Sequence, residues 1–186
     1  IPGGIKEIES AAFSQCTALH TLTLENGIET IGDHAFSYTQ LQTIYLPDSV
    51  RTIQDFAFYM TSNTCSIHLG NQVTSIGESA FLQTNGHCNS IYIPKSVTKI
   101  GTYGVGYWTF LDYMDPVTNG FTIYGTAGSA AQTYADSNTI SFVAGTEPEL
   151  TKYYDAATGT TAYVPQAGLS FRVTVQHTGT PYTKGY

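Results

Sequence analysis

The side chains best suited to chemistry in this 186-residue chain are five histidines, His20, His34, His68, His87 and His177, and three cysteines, Cys16, Cys65 and Cys88. A zinc site draws several such ligands onto one tetrahedral ion, and a sequence that builds one carries them in pairs a few residues apart. No CxxC, HxH or HxxxH spacing occurs, so the chain predicts no metal site. His87 beside Cys88 has the composition of an activated nucleophile, yet neighbours on an extended chain face opposite ways. Cys88 falls at the position of Leu19 and Leu41, and all three cysteines read as small core residues. The run Gly125-Thr126-Ala127-Gly128-Ser129 ahead of a helical stretch offers backbone N–H groups to an anion. It lacks the lysine of a P-loop and reads more simply as a turn with Ser129 as N-cap. No GxSxG is present and no carboxylate pair stands out, as a carbohydrate-active enzyme would require. The residues therefore predict neither a catalytic group nor a cofactor.

What the chain does carry in quantity is aromatic and hydroxyl side chains. Charged residues make up only 11%, with 7 bases against 14 acids and a formal net charge of −7, while aromatics reach 13%. A nucleic-acid surface needs clustered cations, and Lys6, Arg51, Lys95, Lys99, Lys152, Arg172 and Lys184 are scattered along the chain. Nucleic acid is excluded as a partner. No apolar run approaches the ~20 residues that cross a bilayer as a helix.

The elements that must position those side chains follow from a repeat. Ile-x-x-x-Ala-Phe occurs at Ile8 to Phe13, Ile31 to Phe36, Ile53 to Phe58 and Ile76 to Phe81, and with Ile100 the leading isoleucines stand 22 to 24 residues apart. Each unit contains a short alternating stretch, Leu22-Thr23-Leu24, Ile44-Tyr45-Leu46, Ile67-His68-Leu69 and Ile91-Tyr92-Ile93, the period of a half-buried strand. Similar turns follow, as in Leu46-Pro47-Asp48-Ser49-Val50 and Ile93-Pro94-Lys95-Ser96-Val97, with Gly32, Gly77 and Gly101 read as further turn residues. Ile1-Pro2-Gly3-Gly4-Ile5 matches this turn and predicts a strand before it. A coil of this length cannot bury its Leu, Ile, Ala and Phe alone, so stacking on its neighbours must create the core.

One parallel strand per coil puts the middle residues of successive strands in line about 4.8 Å apart. That register gives a ladder of Thr23, Tyr45, His68, Tyr92 and Thr122, a row of rings and hydroxyls suited to holding a protein or glycan. The same residues are also ordinary good strand formers.

The run Leu-x-x-Ile-x-Leu-Pro-x-Ser-Val-x-x-Ile-x-x-x-Ala-Phe resembles the BspA-type leucine-rich repeats of bacterial surface proteins, plainly over residues 1 to about 106. The resemblance implies an α/β repeat solenoid, a right-handed superhelix with one short parallel strand per repeat and the ladder on its concave face. It also implies an extracellular, secreted or surface-attached protein used in adhesion or protein binding, with no catalytic motif.

The fifth unit departs from the pattern, with Gly104 and Val105 where Ala and Phe belong. A longer stretch follows, carrying Tyr107, Trp108, Phe110, Tyr113 and Met114; exposed Tyr107, Trp108 and Tyr113 would form a second ligand surface, or else cover the last core. A strand at Phe121 to Gly125, a short helix from Ser129 and a strand at Ile140 to Val143 resemble the family's closing repeat. Residues 1–145 thus read as a solenoid with a degenerate cap from about 100, and 146–186 as a β-rich extension or truncated second domain beyond the Gly145-Thr146-Glu147-Pro148 linker. The sequence points to a monomeric binding module for a protein or glycan on a host or neighbouring cell, or to a spacer within a larger secreted protein.

Overall fold

In the computed structural model the described residues are 1–61, 64, 66–82, 89–110, 113–116, 121–145, 150–155 and 160–165. The chain divides into two compact units, Ile1–Glu147 and Pro148–Tyr186. In the first, the strands run β1 (Glu7–Ile8), β2 (Thr30–Ile31), β3 (Thr43–Tyr45), β4 (Thr52–Ile53), β5 (Ser66–His68), β6 (Ser75–Ile76), β7 (Ser90–Ile93) and β8 (Lys99–Ile100). A hairpin of β9 (Tyr107–Phe110) and β10 (Tyr113–Pro116), strand β11 (Thr122–Gly125), helix α1 (Ala130–Ser137) and strand β12 (Ser141–Ala144) complete it. The second unit contains the antiparallel pair β13 (Leu150–Asp155) and β14 (Thr160–Pro165). Residues 166–186, the rest of the β-rich extension read from the sequence, lie outside the described residues.

The first unit is a parallel-strand solenoid. The leading isoleucines stack in one sheet, ordered β1-β2-β4-β6-β8, with Ile8, Ile31, Ile53, Ile76 and Ile100 in direct register. The Leu-x-Leu stretches form the opposite side, where β3 pairs with β5, and β7 pairs with β11, which pairs with β12, all parallel. The structure thus adds a second strand per coil to the one read from the sequence. A two-residue strand shows no alternation, so pattern reading does not find it. In the first coil Leu22-Thr23-Leu24 forms no strand, although Gln40 and Gln42 donate to the carbonyls of Leu19 and His20.

Between the two sheets lies a turn segment whose backbone is as regular as the strands. Counting from the leading isoleucine, residues +3, +5 and +7 donate their N–H groups to the carbonyls of residues +2, +4 and +6 of the next coil. Thus Ala11, Phe13 and Gln15 bond Asp33, Ala35 and Ser37, each at 2.8 Å, and His34, Phe36 and Tyr38 bond Asp55, Ala57 and Tyr59 at 2.8–3.1 Å. The intervening N–H groups turn back inside their own coil, Ala35 to Gly32 and Ser37 to His34. Alternation of this kind needs left-handed backbone. Ala11, His34, Phe56, Ser79 and Tyr103 at +3, and Gln15, Tyr38 and Met60 at +7, have φ between 51° and 60°. Each such residue costs about 1–2 kcal/mol, offset by the inter-coil hydrogen bond it aims.

Inside, one coil shows the division of labour: Ile31, Ala35, Phe36, Leu41, Ile44, Leu46 and Val50 are all fully buried. The phenylalanines form a column, with Phe13, Phe36, Phe58 and Phe81 stacked at centroid spacings of 5.2, 5.2 and 5.3 Å and within 7° of parallel. Gly32 and Gly77 do not make turns by their φ. A Cβ on Gly32 would lie 2.5 Å from the carbonyl oxygen of Ile8, and one on Gly77 2.5 Å from the Asp55 nitrogen, so these glycines permit the coils to approach. Cys16 is exposed, contrary to the core position expected for it. Its equivalents in the next two coils, Thr39 and Thr61, are fully buried and bond the carbonyls of Phe36 and Phe58. Cys65 and Cys88 lie outside the described residues.

The column predicts graded stability effects. Phe58→Ala, with a coil on either side, should lower unfolding free energy by about 3–5 kcal/mol. Phe13→Ala, on the half-buried first coil, should cost less than half as much in the same urea titration.

Candidate functional site

The strand face was the first surface read from the sequence. Tyr45 and His68 stand opposite each other in the β3–β5 pair, their rings 4.5 Å apart and 2° from parallel. Both are partly exposed, as are Tyr92 and Tyr124. The register of β7 and β11 pairs Tyr92 with Tyr124 and Ser90 with Thr122, so Tyr124 is the ladder's next member and Thr122 stands instead in line with Ser90, two residues before the ladder position. The slip arises because Ile123 takes the core place of Ile91, while Gly125 stands where Ile93 would be matched. A Cβ at Gly125 would press on the Ile93 carbonyl and on Ala131, with Phe142 beside it, which explains a glycine where earlier coils have an aliphatic residue. Thr23 is exposed at the far end, outside regular strand.

The aromatic insert divides. Tyr107 is 6% exposed, packs edge-on against Tyr103 with centroids 4.9 Å apart, and donates its hydroxyl proton to Asn138 Oδ1 at 2.5 Å. It belongs to the cap, the second of the two places read for it, and not to a ligand surface: an apolar ring with one polar tip closes a core well when a partner for the tip is at hand. Trp108 is partly exposed in β9, and Tyr113 lies in β10.

The same cap ends the backbone ladder. Val105 holds the +5 place of the fifth coil, where earlier coils send an N–H onward to the next. Here the N–H finds the Tyr134 hydroxyl at 3.3 Å, and that hydroxyl donates to the Val105 carbonyl at 3.0 Å. Tyr134 reaches it from α1, whose Ala131 and Ala135 face the core. The helix start also departs from expectation: Ser129 occupies the N-cap position without a side-chain capping bond, and Gln132 Oε1 reaches back to the Gly128 N–H instead. Asn138 closes the other end, its amide donating to the Tyr134 carbonyl at 2.7 Å.

Sequence reasoning missed a third surface. On the turn segment the rings of His34 and Phe56 stack at 4.7 Å, Phe56 meets Tyr59 edge-on, and Tyr59 meets Tyr38 edge-on, each pair at 5.5 Å. Tyr38 is 44% exposed, and burial raises the Tyr59 hydroxyl above the ordinary range, with Tyr38 adding to the shift. The extra aromatic of the third repeat, Phe56, was the one signal for it. Beside this row a groove of about 490 Å³ crosses the coils, lined among others by Asp33, Asp55, Glu78, Thr52, Ser75 and Lys99. Among the described residues no group of three His, Cys, Asp or Glu side chains is arranged to hold a metal, and no helix is long and apolar enough to cross a membrane.

Parallel coils in register, a helical cap and rows of equivalent side chains define a repeat solenoid of the leucine-rich-repeat class. The BspA type leucine rich repeat region matches residues 1–107 in six copies, and the chain belongs to that family. Among solved structures, it is similar to a leucine-rich repeat protein from Bacteroides ovatus, with 22% identity and a TM-score of 0.50 over 69% of this chain and 33% of that one. It is also similar to a leucine rich cell surface protein from Faecalibacterium prausnitzii, at 20% identity and a TM-score of 0.41, covering 68% of this chain and 54% of that one. The chain therefore spans about a third and about half of those two proteins. No curated protein sequence matches it.

The cap carries its own pH signature. Burial, the largest cause, and the neighbouring Tyr107 raise the Tyr134 hydroxyl well above its ordinary value near 10, while its bonds to the Val105 and Gly104 backbone partly oppose the shift. A raised folded-state pKa means that the unfolded chain ionises first. The stability it represents is full below pH 10 and is lost as the pH climbs from there toward the folded value. Thermal melts from pH 8 to 11 should show the wild-type melting temperature falling above pH 10. Tyr134→Phe should melt lower at pH 8, by about 1 kcal/mol for the lost hydrogen bonds, and fall less steeply.

Proposed function

We propose that this solenoid is a non-catalytic binding module that works outside the cell and holds a protein or glycan ligand against its strand face. The observation that carries the reading is the Tyr45–His68 pair, two partly exposed rings held 4.5 Å apart and nearly parallel by adjoining strands. Tyr92 and Tyr124 continue the row on β7 and β11. Rings fixed in this way have already lost most of their side-chain freedom, so a ligand that lies across them meets a small ordering cost. Thr23 and Trp108 would extend the contact surface at its two ends, with Tyr113 on the partner strand of the same hairpin. Membership of a repeat family resembling bacterial surface proteins supports the extracellular setting.

A binding screen of the purified chain against glycans and extracellular host proteins tests this. Ligands that bind wild type should lose about tenfold or more in affinity to the triple variant Tyr45→Ala, His68→Ala, Tyr92→Ala. The melting temperature should stay within a few degrees, since these side chains are only partly buried. Hits indifferent to the triple variant would sink the strand-face reading, and a spacer role would gain if no hit depended on any of these residues.

A further inference from the structure

The aromatic row on the turn face is placed at positions that disfavour it. The +3 residue of every coil and the +7 residue of the first three adopt left-handed φ, which glycine and asparagine tolerate best and bulky side chains worst. The first coil meets this demand with Ala11 and Gln15, whereas the second and third place His34, Tyr38, Phe56 and Met60 there at φ of 54–58°. The fourth coil places Ser79 at +3 and the fifth Tyr103, whose ring packs edge-on against Tyr107 of the cap, so only the second and third coils build their rings into this row. The rings are not sunk in the core, since the His34 side chain is 40% exposed and Tyr38 44%.

One residue before the +3 position of the second, third and fourth coils stands a carboxylate. Asp33, Asp55 and Glu78 repeat at +2 in three successive coils and line one wall of the groove, with the Thr52 and Ser75 hydroxyls also lining it. Asp33 Oδ1 meets His34 Nδ1 at 2.9 Å, and Asp55 Oδ1 accepts the Glu78 N–H at 2.8 Å. Three acids in line, about 4.8 Å apart along the coils, outnumber Lys99, the lysine that also lines the groove, and leave an excess of negative charge that a neutral ligand such as a sugar does not meet. A row of apolar rings beside a row of carboxylates fits one kind of side chain well: a long aliphatic stem with a cation at its tip.

We propose that this turn face binds a basic polypeptide segment in extended form. Its lysine or arginine stems lie along His34, Phe56 and Tyr59, and its cations reach Asp33, Asp55 and Glu78. Basic residues at alternate positions of an extended chain share one side at about 7 Å intervals, close enough for long flexible side chains to engage two or three of the carboxylates. The site is separate from the strand face, which uses the opposite sheet.

The repeat supplies its own mild variants. Phe56→Ala and Tyr38→Gln install the residues that the first coil already carries at φ of 56° and 60°, and Asp33→Asn with Asp55→Asn keeps both side-chain acceptors while removing the charge. Binding of a peptide alternating lysine and serine to the full chain is read by calorimetry, beside a counterpart with glutamate for lysine. The lysine peptide should bind and the glutamate peptide should not, with affinity falling as salt rises. Each double variant should weaken binding at least about fivefold with an unchanged circular dichroism spectrum. Tyr45→Ala with His68→Ala should bind as wild type does. Failure of the lysine peptide to bind, or affinity unchanged in Phe56→Ala with Tyr38→Gln, would overturn the proposal. So would equal loss in the strand-face variant, or a glycan displacing the peptide from this row.

Discussion

Every coil of this solenoid depends on a neighbour for its backbone hydrogen bonds. A 22- to 24-residue loop around a core has no ladder of its own, and its buried N–H and C=O groups would be left unpaired at a cost of about 1–3 kcal/mol each. Three rows of inter-coil bonds remove that cost: the isoleucine sheet, the Leu-x-Leu sheet and the turn segment between them. The turn row is the most demanding, because it requires a left-handed residue at +3 of every coil and a second at +7 of the first three. Once it is in place the phenylalanine column must stack at the spacing of the coils, near 5.2 Å, and no phenylalanine can move without its neighbours.

The parts of this arrangement that repeat as residue types were legible from the sequence. Isoleucine, alanine and phenylalanine recur because each faces the same buried space, so period and core could be read together. The left-handed turns were not legible, since Ala11, His34, Phe56 and Ser79 share a backbone shape but no chemistry. The slip from Thr122 to Tyr124 had a related origin: the pattern Phe121-Thr122-Ile123 imitates Leu-x-Leu, and only packing around Gly125 decides which pair is used. Which of its two readings Tyr107 takes was not legible, because a tyrosine's sequence neighbourhood does not reveal whether an acceptor such as Asn138 waits in a later segment.

The candidate surfaces differ in how they arise. Tyr45 and His68 stand where the fold gives side chains an outward direction for nothing, on a strand whose alternate residues are core. His34, Tyr38 and Phe56 stand where the fold imposes a penalty on any residue with a Cβ, and more on a large one. A solenoid can thus vary one face freely while another face records a choice made against the backbone.

The turn row also has a direction. Among the described residues of the first four coils, the N–H groups at +3, +5 and +7 point toward later coils and the matching carbonyls toward earlier ones, so the two faces of a coil are chemically unlike. On the later face of the fifth coil Tyr134 answers as an acceptor at Val105; an equivalent plug on the opposite face would have to bring donors. Like faces cannot satisfy one another, so two such stacks cannot close as a twofold pair through their turn rows. Joining through those rows is possible only in tandem, donor face to acceptor face, a contact that propagates as a filament unless something stops it. The helical lid is therefore also a chain terminator, setting the length of a structure whose own geometry would let it continue.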